Sequence, residues 1–230
     1  MSSIILNIET STNVCSIALS KDGSCIFSKS NAEGKNHAAL LSVFIAEAME
    51  VLKNSSQKLD AVAVSSGPGS YTGLRIGVST TKGLCYGLDI PLLAVSTLEV
   101  LTAQAFKSVG DTGDALFCPM IDARRMEVYA AIYNGKGEIQ REILPDIIDA
   151  DSYSGLLEKN IVFFFGNGSG KCKTTLIHPN ARFIDDMVPL AENMISLSDK
   201  AYEEKKFEDV AYFVPFYLKE FHTTASKKTL

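Results

Sequence analysis

A glycine-rich segment at residues 166–171 has the composition of a phosphate-binding loop, with three glycines and a closing lysine, Lys171. Such a loop cradles phosphates with bare backbone N–H groups and brings the lysine onto their charge. The spacing fails here, because Phe165 stands where the first glycine is needed and Cys172 replaces the Ser or Thr that would bind magnesium. We therefore expect a plain turn that joins a strand to a helix.

Histidine and cysteine, the usual metal ligands and partners of nucleophiles, are sparse in this chain. The three histidines, His37, His178 and His222, form no His-x-x-x-His pair, and the five cysteines form no Cys-x-x-Cys pair. No Gly-x-Ser-x-Gly nucleophile elbow is present either. We expect no metal site, and a peptidase is the weakest of the functional hypotheses.

The overall composition limits what the chain can bind. Its 230 residues are 46% hydrophobic and carry a net charge of −5, enough for one good core or two small ones. No apolar run reaches the length of a membrane span, and no signal sequence is evident, so we expect a cytoplasmic protein without membrane contact. The negative charge argues against autonomous tRNA binding, and Arg124 and Arg125 are expected to pair with neighbouring acids.

The elements that position these residues are predicted to form two similar halves. The first contains strands at 4–9, 14–20, 24–30, 59–64 and 91–95, with helices at 37–54, 72–88 and 96–107. A polar break at 110–114 follows. The second contains strands at 116–122, 127–133, 138–144 and 161–165, with helices at 149–159 and 189–206. We therefore divide the chain into an N-terminal lobe, residues 1–109, and a reduced C-terminal lobe, residues 110–230, whose tail at 221–230 is expected to fray.

Two acidic residues, Glu9 and Asp122, occupy matching places in these halves. Each lies at the end of the first strand of its β-meander and is followed by a turn, with Thr10 and Ser11 after the first acid and Arg124 after the second. If the lobes face each other, each offers an acidic turn to the space between them.

The helix predicted at residues 72–88 carries glycine at positions 73, 77, 83 and 87. Each interior glycine costs about 0.8–1 kcal/mol relative to alanine, so another element is expected to approach this backbone closely. That element is either the helix's own sheet or a helix of a partner, and the two Gly-x-x-x-Gly pairs favour the partner. Arg75 and Lys82 argue against a membrane-spanning helix.

Several segments together resemble the TsaB family. They are Ile5-Leu6-Asn7-Ile8-Glu9-Thr10-Ser11-Thr12, Gly67-Pro68-Gly69-Ser70-Tyr71-Thr72-Gly73-Leu74-Arg75-Ile76-Gly77, Val95-Ser96-Thr97-Leu98 and Ile121-Asp122-Ala123-Arg124. The run at residues 67–73 is the most specific match, and Asn36-His37 is a weaker one. The resemblance covers most of the chain to about Tyr133 and is loose beyond it.

This resemblance implies an α/β fold of the two-lobed actin-like ATPase type and a role without catalysis. The TsaB family is the non-catalytic partner of TsaD, which makes N6-threonylcarbamoyladenosine at adenosine 37 of tRNAs that read ANN codons. TsaE joins the pair, and tRNA is reached indirectly through the complex. Older descriptions call such chains glycoprotease-like.

The resemblance also implies where the partner binds. Helices 37–54 and 72–88 would form a four-helix interface with TsaD, and two copies of the chain are expected to associate through the same face when TsaD is absent. The residues assigned to this interface are His37, Leu40, Phe44, Gly73, Gly77, Thr80, Gly83 and Gly87. Gly77→Leu is expected to abolish TsaD binding while the protein stays folded.

A second hypothesis keeps the nucleotide cleft of active actin-like relatives, in which two aspartates hold a metal–phosphate group. The corresponding residues here are Glu9, Thr10, Ser11, Asp122 and Arg124, and the ligands would be ATP and Mg²⁺. The first acid is a glutamate, however, and arginines stand where a phosphate cradle needs glycines. We therefore expect a vestigial cleft and no cofactor.

Overall fold

The computed structural model describes residues 3–34, 36–110 and 112–218. Its N-terminal half contains β1 (Ile4–Glu9), β2 (Cys15–Lys21), β3 (Ser24–Asn31), α1 (His37–Asn54), β4 (Ala61–Gly67), α2 (Tyr71–Leu88), β5 (Leu92–Ser96) and α3 (Thr97–Val109). Its C-terminal half contains β6 (Leu116–Asp122), β7 (Glu127–Tyr133), β8 (Ile139–Ile147), α4 (Ser154–Leu157), β9 (Val162–Phe165), β10 (Ala181–Ile184) and α5 (Ile195–Glu203). Two 3-10 turns lie at Gly170–Cys172 and Ala191–Met194.

The two halves repeat one sheet topology. The first five-stranded sheet has the order β3-β2-β1-β4-β5, and the second has the corresponding order β8-β7-β6-β9-β10. In each sheet the first strand pairs antiparallel with the second and parallel with the strand that follows the first helical segment. The internal repeat expected from the sequence is present, and Glu9 and Asp122 end equivalent strands.

Helices cover both faces of the first sheet. Leu41 and Ile45 of α1 and Val78 of α2 join one buried cluster against β1 and β4. On the opposite face, Val100 of α3 packs in a second cluster with Ile195 of α5. This is a layered α/β arrangement in which α1 and α2 lie side by side with their other sides turned outward.

The helix predicted at residues 189–206 differs from the structure in length and in place. It is divided into the 3-10 turn Ala191–Met194 and α5, and both contribute to the cluster on the first sheet, although the sequence had placed this segment in the C-terminal lobe. The chain therefore returns to the N-terminal half after it completes the second sheet. In chain order α5 follows β10 as α3 follows β5, and α3 likewise packs against the second sheet through Leu101. The apolar spacing of a helix does not report which sheet it packs against, so the sequence could not predict this exchange.

The second half has much shorter helices than the first. The helix predicted at residues 149–159 is reduced to α4, because Asp149 forms a side-chain turn instead, accepting from the Asp151 N–H at 3.1 Å and the Ser152 hydroxyl at 2.8 Å. The glycine-rich turn at 166–170 leads into a 3-10 turn and not into a helix. Strand β10 was not predicted, since its four residues are only partly buried and carry little pattern.

None of the helices in the described parts of the chain is long and apolar enough to cross a membrane.

Candidate functional site

The turn after β1 is closed by the protein's own chain. Glu9, Thr10 and Ser11 are at most 1% exposed. The Glu9 Oε1 atom accepts from the Ser11 N–H at 2.5 Å and from the Ser65 hydroxyl at 3.1 Å, while Oε2 has no hydrogen-bond partner among the described residues. This carboxyl group is therefore shielded from any nucleotide in the space between the halves.

The N-terminal part of α2 is what closes this turn. The helix begins with Ser70 as its N-cap, whose Oγ accepts from the Gly73 N–H at 3.3 Å. The Thr10 hydroxyl donates to the Gly73 carbonyl at 2.9 Å, and the Ser70 N–H donates to the Ser11 carbonyl at 2.6 Å. These bonds hold the start of α2 directly against the β1 turn.

The structure contradicts the docking role predicted for Gly73 and Gly77. Both are buried, and a Cβ added at either position would lie within 3.0 Å of Thr10, a separation that real Cβ atoms essentially never show. These glycines let α2 approach its own strand, not a partner. The expectation that Gly77→Leu leaves the fold intact is therefore wrong, because the leucine would have to displace the β1 turn.

Asp122 lies at the equivalent position but in a different environment. It is exposed, forms an ion pair with Lys171, and accepts from the Arg124 N–H at 3.1 Å. Lys171 also donates to the Glu127 carbonyl at 2.6 Å. The predicted pairing of Asp122 with an arginine side chain is thus replaced by pairing with Lys171, the lysine that ends the glycine-rich segment 166–171.

The two acidic turns do not form a pair of accessible carboxylates. A metal–phosphate group held between them would need both Glu9 and Asp122 to be exposed and charged, and only Asp122 is exposed. Arg124 and Arg125 take left-handed backbone conformations, with φ of 73° and 51°, and are exposed. Within the described ranges, no group of three His, Cys, Asp or Glu side chains is arranged to hold a metal ion.

The buried Glu9 predicts a specific pH dependence of stability. Burial raises the pKa of the Glu9 carboxyl, against smaller opposing effects of hydrogen bonds from Ser11 and Ser65. The folded protein then binds this proton more tightly than the unfolded chain. Its contribution to stability is full below the ordinary glutamate pKa of about 4.3 and is lost as pH rises towards the folded value.

Replacing Glu9 by Gln should remove this titration. We expect the melting temperature of the natural protein to fall more than that of Glu9→Gln as pH rises above the ordinary glutamate pKa of about 4.3, so that the difference between the two proteins widens with pH. Glu203→Gln, at an exposed position on α5, is the matched control and should follow the natural protein. Parallel pH profiles for Glu9→Gln and the natural protein would show that Glu9 does not titrate in this way.

The remaining predicted docking residues lie at different depths. Gly83 and Gly87 are exposed, and a Cβ added at either would meet nothing within 4 Å. Phe44 is only 5% exposed and belongs to the core, which contradicts its predicted place in the interface. The other three are partly buried: Leu40 packs against that core, the His37 Nε2 atom lies 2.9 Å from the Thr12 carbonyl oxygen, and Thr80 lies on α2.

The exposed sides of α1 and α2 form a surface that we call the outer face. It consists of Ala39, Val43 and Ala46 of α1 and Ser79, Gly83, Tyr86 and Gly87 of α2. Val43 is 51% exposed and Tyr86 is 86% exposed. Most of this surface is small or apolar, and Glu50 of α1 and Arg75 of α2 lie exposed at its ends. Small and apolar side chains on adjoining helices are typical of a surface that packs against another protein. Val43 and Tyr86 are not among the predicted interface residues, although Val43 lies three positions after Leu40 on α1 and Tyr86 three positions after Gly83 on α2.

The described residues offer no assembled nucleophile and base. His178 Nδ1 accepts from the Asn180 N–H at 3.1 Å, and His37 contacts a backbone carbonyl. Four of the cysteines are buried, and burial raises the pKa of the exposed one, Cys25, as its largest effect. A thiol with a raised pKa is a poor nucleophile at neutral pH.

Comparison with known proteins gives consistent results. The family model for TsaD, tRNA N6-adenosine threonylcarbamoyltransferase, matches residues 30–212. The tRNA threonylcarbamoyladenosine biosynthesis protein TsaB of Bacillus subtilis (strain 168) is 34% identical over 94% of this chain and 93% of its own length. The protein of the same name from Escherichia coli (strain K12) is 28% identical, with 94% of each chain covered.

Solved structures agree with this result. YeaZ from Pseudomonas aeruginosa has a TM-score of 0.77 and 27% identity, covering 94% of this chain and all of that one (100%). A second Pseudomonas aeruginosa structure, described as an uncharacterized protein with similarity to peptidase YEAZ, has a TM-score of 0.78 and 28% sequence identity. The two-lobed actin-like α/β fold expected from the sequence is confirmed, and the chain belongs to the TsaB family, within the wider group that the TsaD model describes.

Proposed function

We propose that this protein acts in tRNA threonylcarbamoyladenosine biosynthesis as a non-catalytic subunit that binds TsaD, in the cytoplasm and together with TsaE. The observation that carries the proposal is the outer face of α1 and α2. Helices pack at axis separations of about 8–10 Å, and small side chains allow the closer values. Open glycine backbone at Gly83 and Gly87 therefore suits a close helix–helix contact.

The match to the TsaD family model supports a helical partner surface. It spans residues 30–212 and so includes both α1 and α2. A protein that the same model describes is expected to carry a corresponding pair of helices. Two such pairs, face to face, make a four-helix interface, and a second copy of this chain could occupy the same place when TsaD is absent.

The closed β1 turn supports a role without turnover. Glu9 and Thr10 are buried under α2 and would have to be uncovered before they could reach a nucleotide. Nothing in this geometry favours the ATPase or kinase hypothesis, nor the peptidase one. The contribution of this chain would then be to favour, by binding, the conformation in which TsaD is active, with tRNA contacted through the complex.

Reconstitution tests this function directly. Purified TsaD, TsaE, unmodified tRNA and the threonylcarbamoyl donor are combined with and without this protein, and the modified nucleoside is measured after digestion of the tRNA. We expect modification at least about tenfold faster with the protein present, and none when it is supplied without TsaD. Equal rates with and without it, or modification by this chain alone, would contradict the proposal.

A further inference from the structure

An open cleft with a volume of about 540 Å³ is lined by residues of both halves. Its floor includes Ser66, Gly67 and Ser96, at the carboxyl ends of the parallel strands β4 and β5. Ile143 of β8 contributes from the second sheet. The carboxyl ends of parallel strands are the usual place for ligands in open α/β sheets.

One wall of the cleft is a segment that we call the strap, residues 207–217. It is fixed to the first half at several points. The Glu208 N–H donates to the Leu92 carbonyl at 2.9 Å and the Phe216 N–H to the Ser66 carbonyl at 2.8 Å. The Lys82 ammonium group donates to the carbonyls of Ala211 and Phe213, at 2.9 and 3.0 Å. The wall is therefore held in place before any ligand binds.

The strap leaves apolar surface uncovered along the cleft. Val214 is 68% exposed, Phe216 46% and Tyr217 38%, and all three line the cleft together with Phe213 and Pro215. Three large apolar side chains exposed on one short segment are unusual for a surface without an occupant. A volume of about 540 Å³ lies within the range of about 300–1,000 Å³ that small-molecule sites occupy.

The charges around the cleft define what it can bind. Glu208 is the one charged residue among those that line it within the described chain, and no lysine or arginine is among them. A phosphate or carboxylate group would meet a like charge there, and the neighbouring cation, Arg75, is already engaged by Tyr217 and the Tyr71 ring, so a nucleotide is poorly suited to this cleft. A cation finds both a carboxylate and aromatic rings, the two groups that stabilise an ammonium ion on a protein surface.

We propose that this cleft binds a small aromatic amine, with its ring against the apolar strap and its ammonium group towards Glu208. The site is separate from the outer face, and the proposal does not depend on the binding of TsaD. An actin-like nucleotide cleft binds an anion, whereas this cleft is proposed to bind a cation.

Tryptamine is a suitable probe, because the protein contains no tryptophan. The indole fluorescence of the probe can be excited where tyrosine absorbs little, and its anisotropy then reports binding. We expect saturable binding of tryptamine, binding of neutral indole weaker by about three- to tenfold, and still weaker binding of the anionic indole-3-propionate. No saturable binding, or equal affinity for all three probes, would overturn the proposal.

Variants locate the site. Glu208→Gln should reduce tryptamine affinity to that of neutral indole and leave indole binding unchanged, while Glu203→Gln on α5, outside the cleft, should change neither. Ala94→Phe should fill the cleft and abolish the binding of both probes. Thermal unfolding of each variant shows whether it is folded. If Ala94→Phe does not fold, the Glu208→Gln comparison decides alone, and unchanged tryptamine affinity in that variant refutes the site.

Discussion

Gly73→Ala is expected to destabilise the protein by about 2–3 kcal/mol, whereas Gly83→Ala, on the same helix, is expected to stabilise it by about 0.8–1 kcal/mol. Both substitutions add one methyl group to an α2 glycine, so helix propensity favours alanine equally at each. The surroundings of the methyl group decide the sign. At Gly73 it would collide with the Thr10 carbonyl oxygen, and at Gly83 it would meet open space.

The collision at Gly73 cannot be relieved by a small side-chain movement. The atom in the way belongs to the backbone, and it follows β1, whose strand is buried and paired on both edges. Either α2 or the turn must shift, and the hydrogen bond from Thr10 Oγ1 to the Gly73 carbonyl, 2.9 Å long, would be strained or lost. Overpacking of this kind typically costs about 1–3 kcal/mol, and the loss of this hydrogen bond adds about 0.5–1.5 kcal/mol, against a gain of about 0.8–1 kcal/mol in helix propensity.

Thermal or urea unfolding of the two alanine variants measures the difference. For a domain of this size the melting temperature should fall by roughly 4–12 °C for Gly73→Ala and rise by roughly 2–4 °C for Gly83→Ala. Gly87→Ala, which is also open, serves as the control and should behave like Gly83→Ala. Two shifts of the same sign would mean that α2 does not rest on the β1 turn as described.

Gly83→Leu is expected to weaken TsaD binding at least about a hundredfold, or roughly 3 kcal/mol, without unfolding the protein. Gly83 lies in the middle of the exposed side of α2, where a leucine has room in the free chain. A close helix–helix contact would leave no space for that side chain, so the two pairs of helices would be held apart. In reconstituted tRNA modification, this variant should fall to the rate seen without the protein.

Gly155→Leu is the matched control for this effect. Gly155 is an exposed helical glycine of α4 in the second half, with nothing within 4 Å of an added Cβ. It should bind TsaD as the natural protein does, as measured by calorimetry or co-purification. A folded Gly83→Leu variant that binds TsaD with unchanged affinity would place the interface away from the outer face.

The sequence was sufficient to predict the repeated architecture. The apolar runs and the polar turns that bound them predict the observed first and last residues of β1 and α1. The recurrence of strand, turn and strand after residue 110 predicts the second sheet. Such patterns are local: alternation and helical spacing report which side of an element is buried, whatever it is buried against. The prediction of a helix at residues 149–159 was wrong because a side-chain turn at Asp149 competes with helix formation there.

Only the tertiary structure decided which neighbours surround each of the repeated features. Four glycines recur along α2 and appear equivalent in the sequence, yet Gly73 and Gly77 lie on the β1 turn while Gly83 and Gly87 are open. Glu9 and Asp122 hold equivalent positions, yet the first is buried beneath a long helix and the second is exposed beside a 3-10 turn. The type and spacing of residues determine elements and their order. Which neighbour covers a given backbone or carboxyl group depends on contacts between residues far apart in the chain, and these exist only once the sheets and helices have packed.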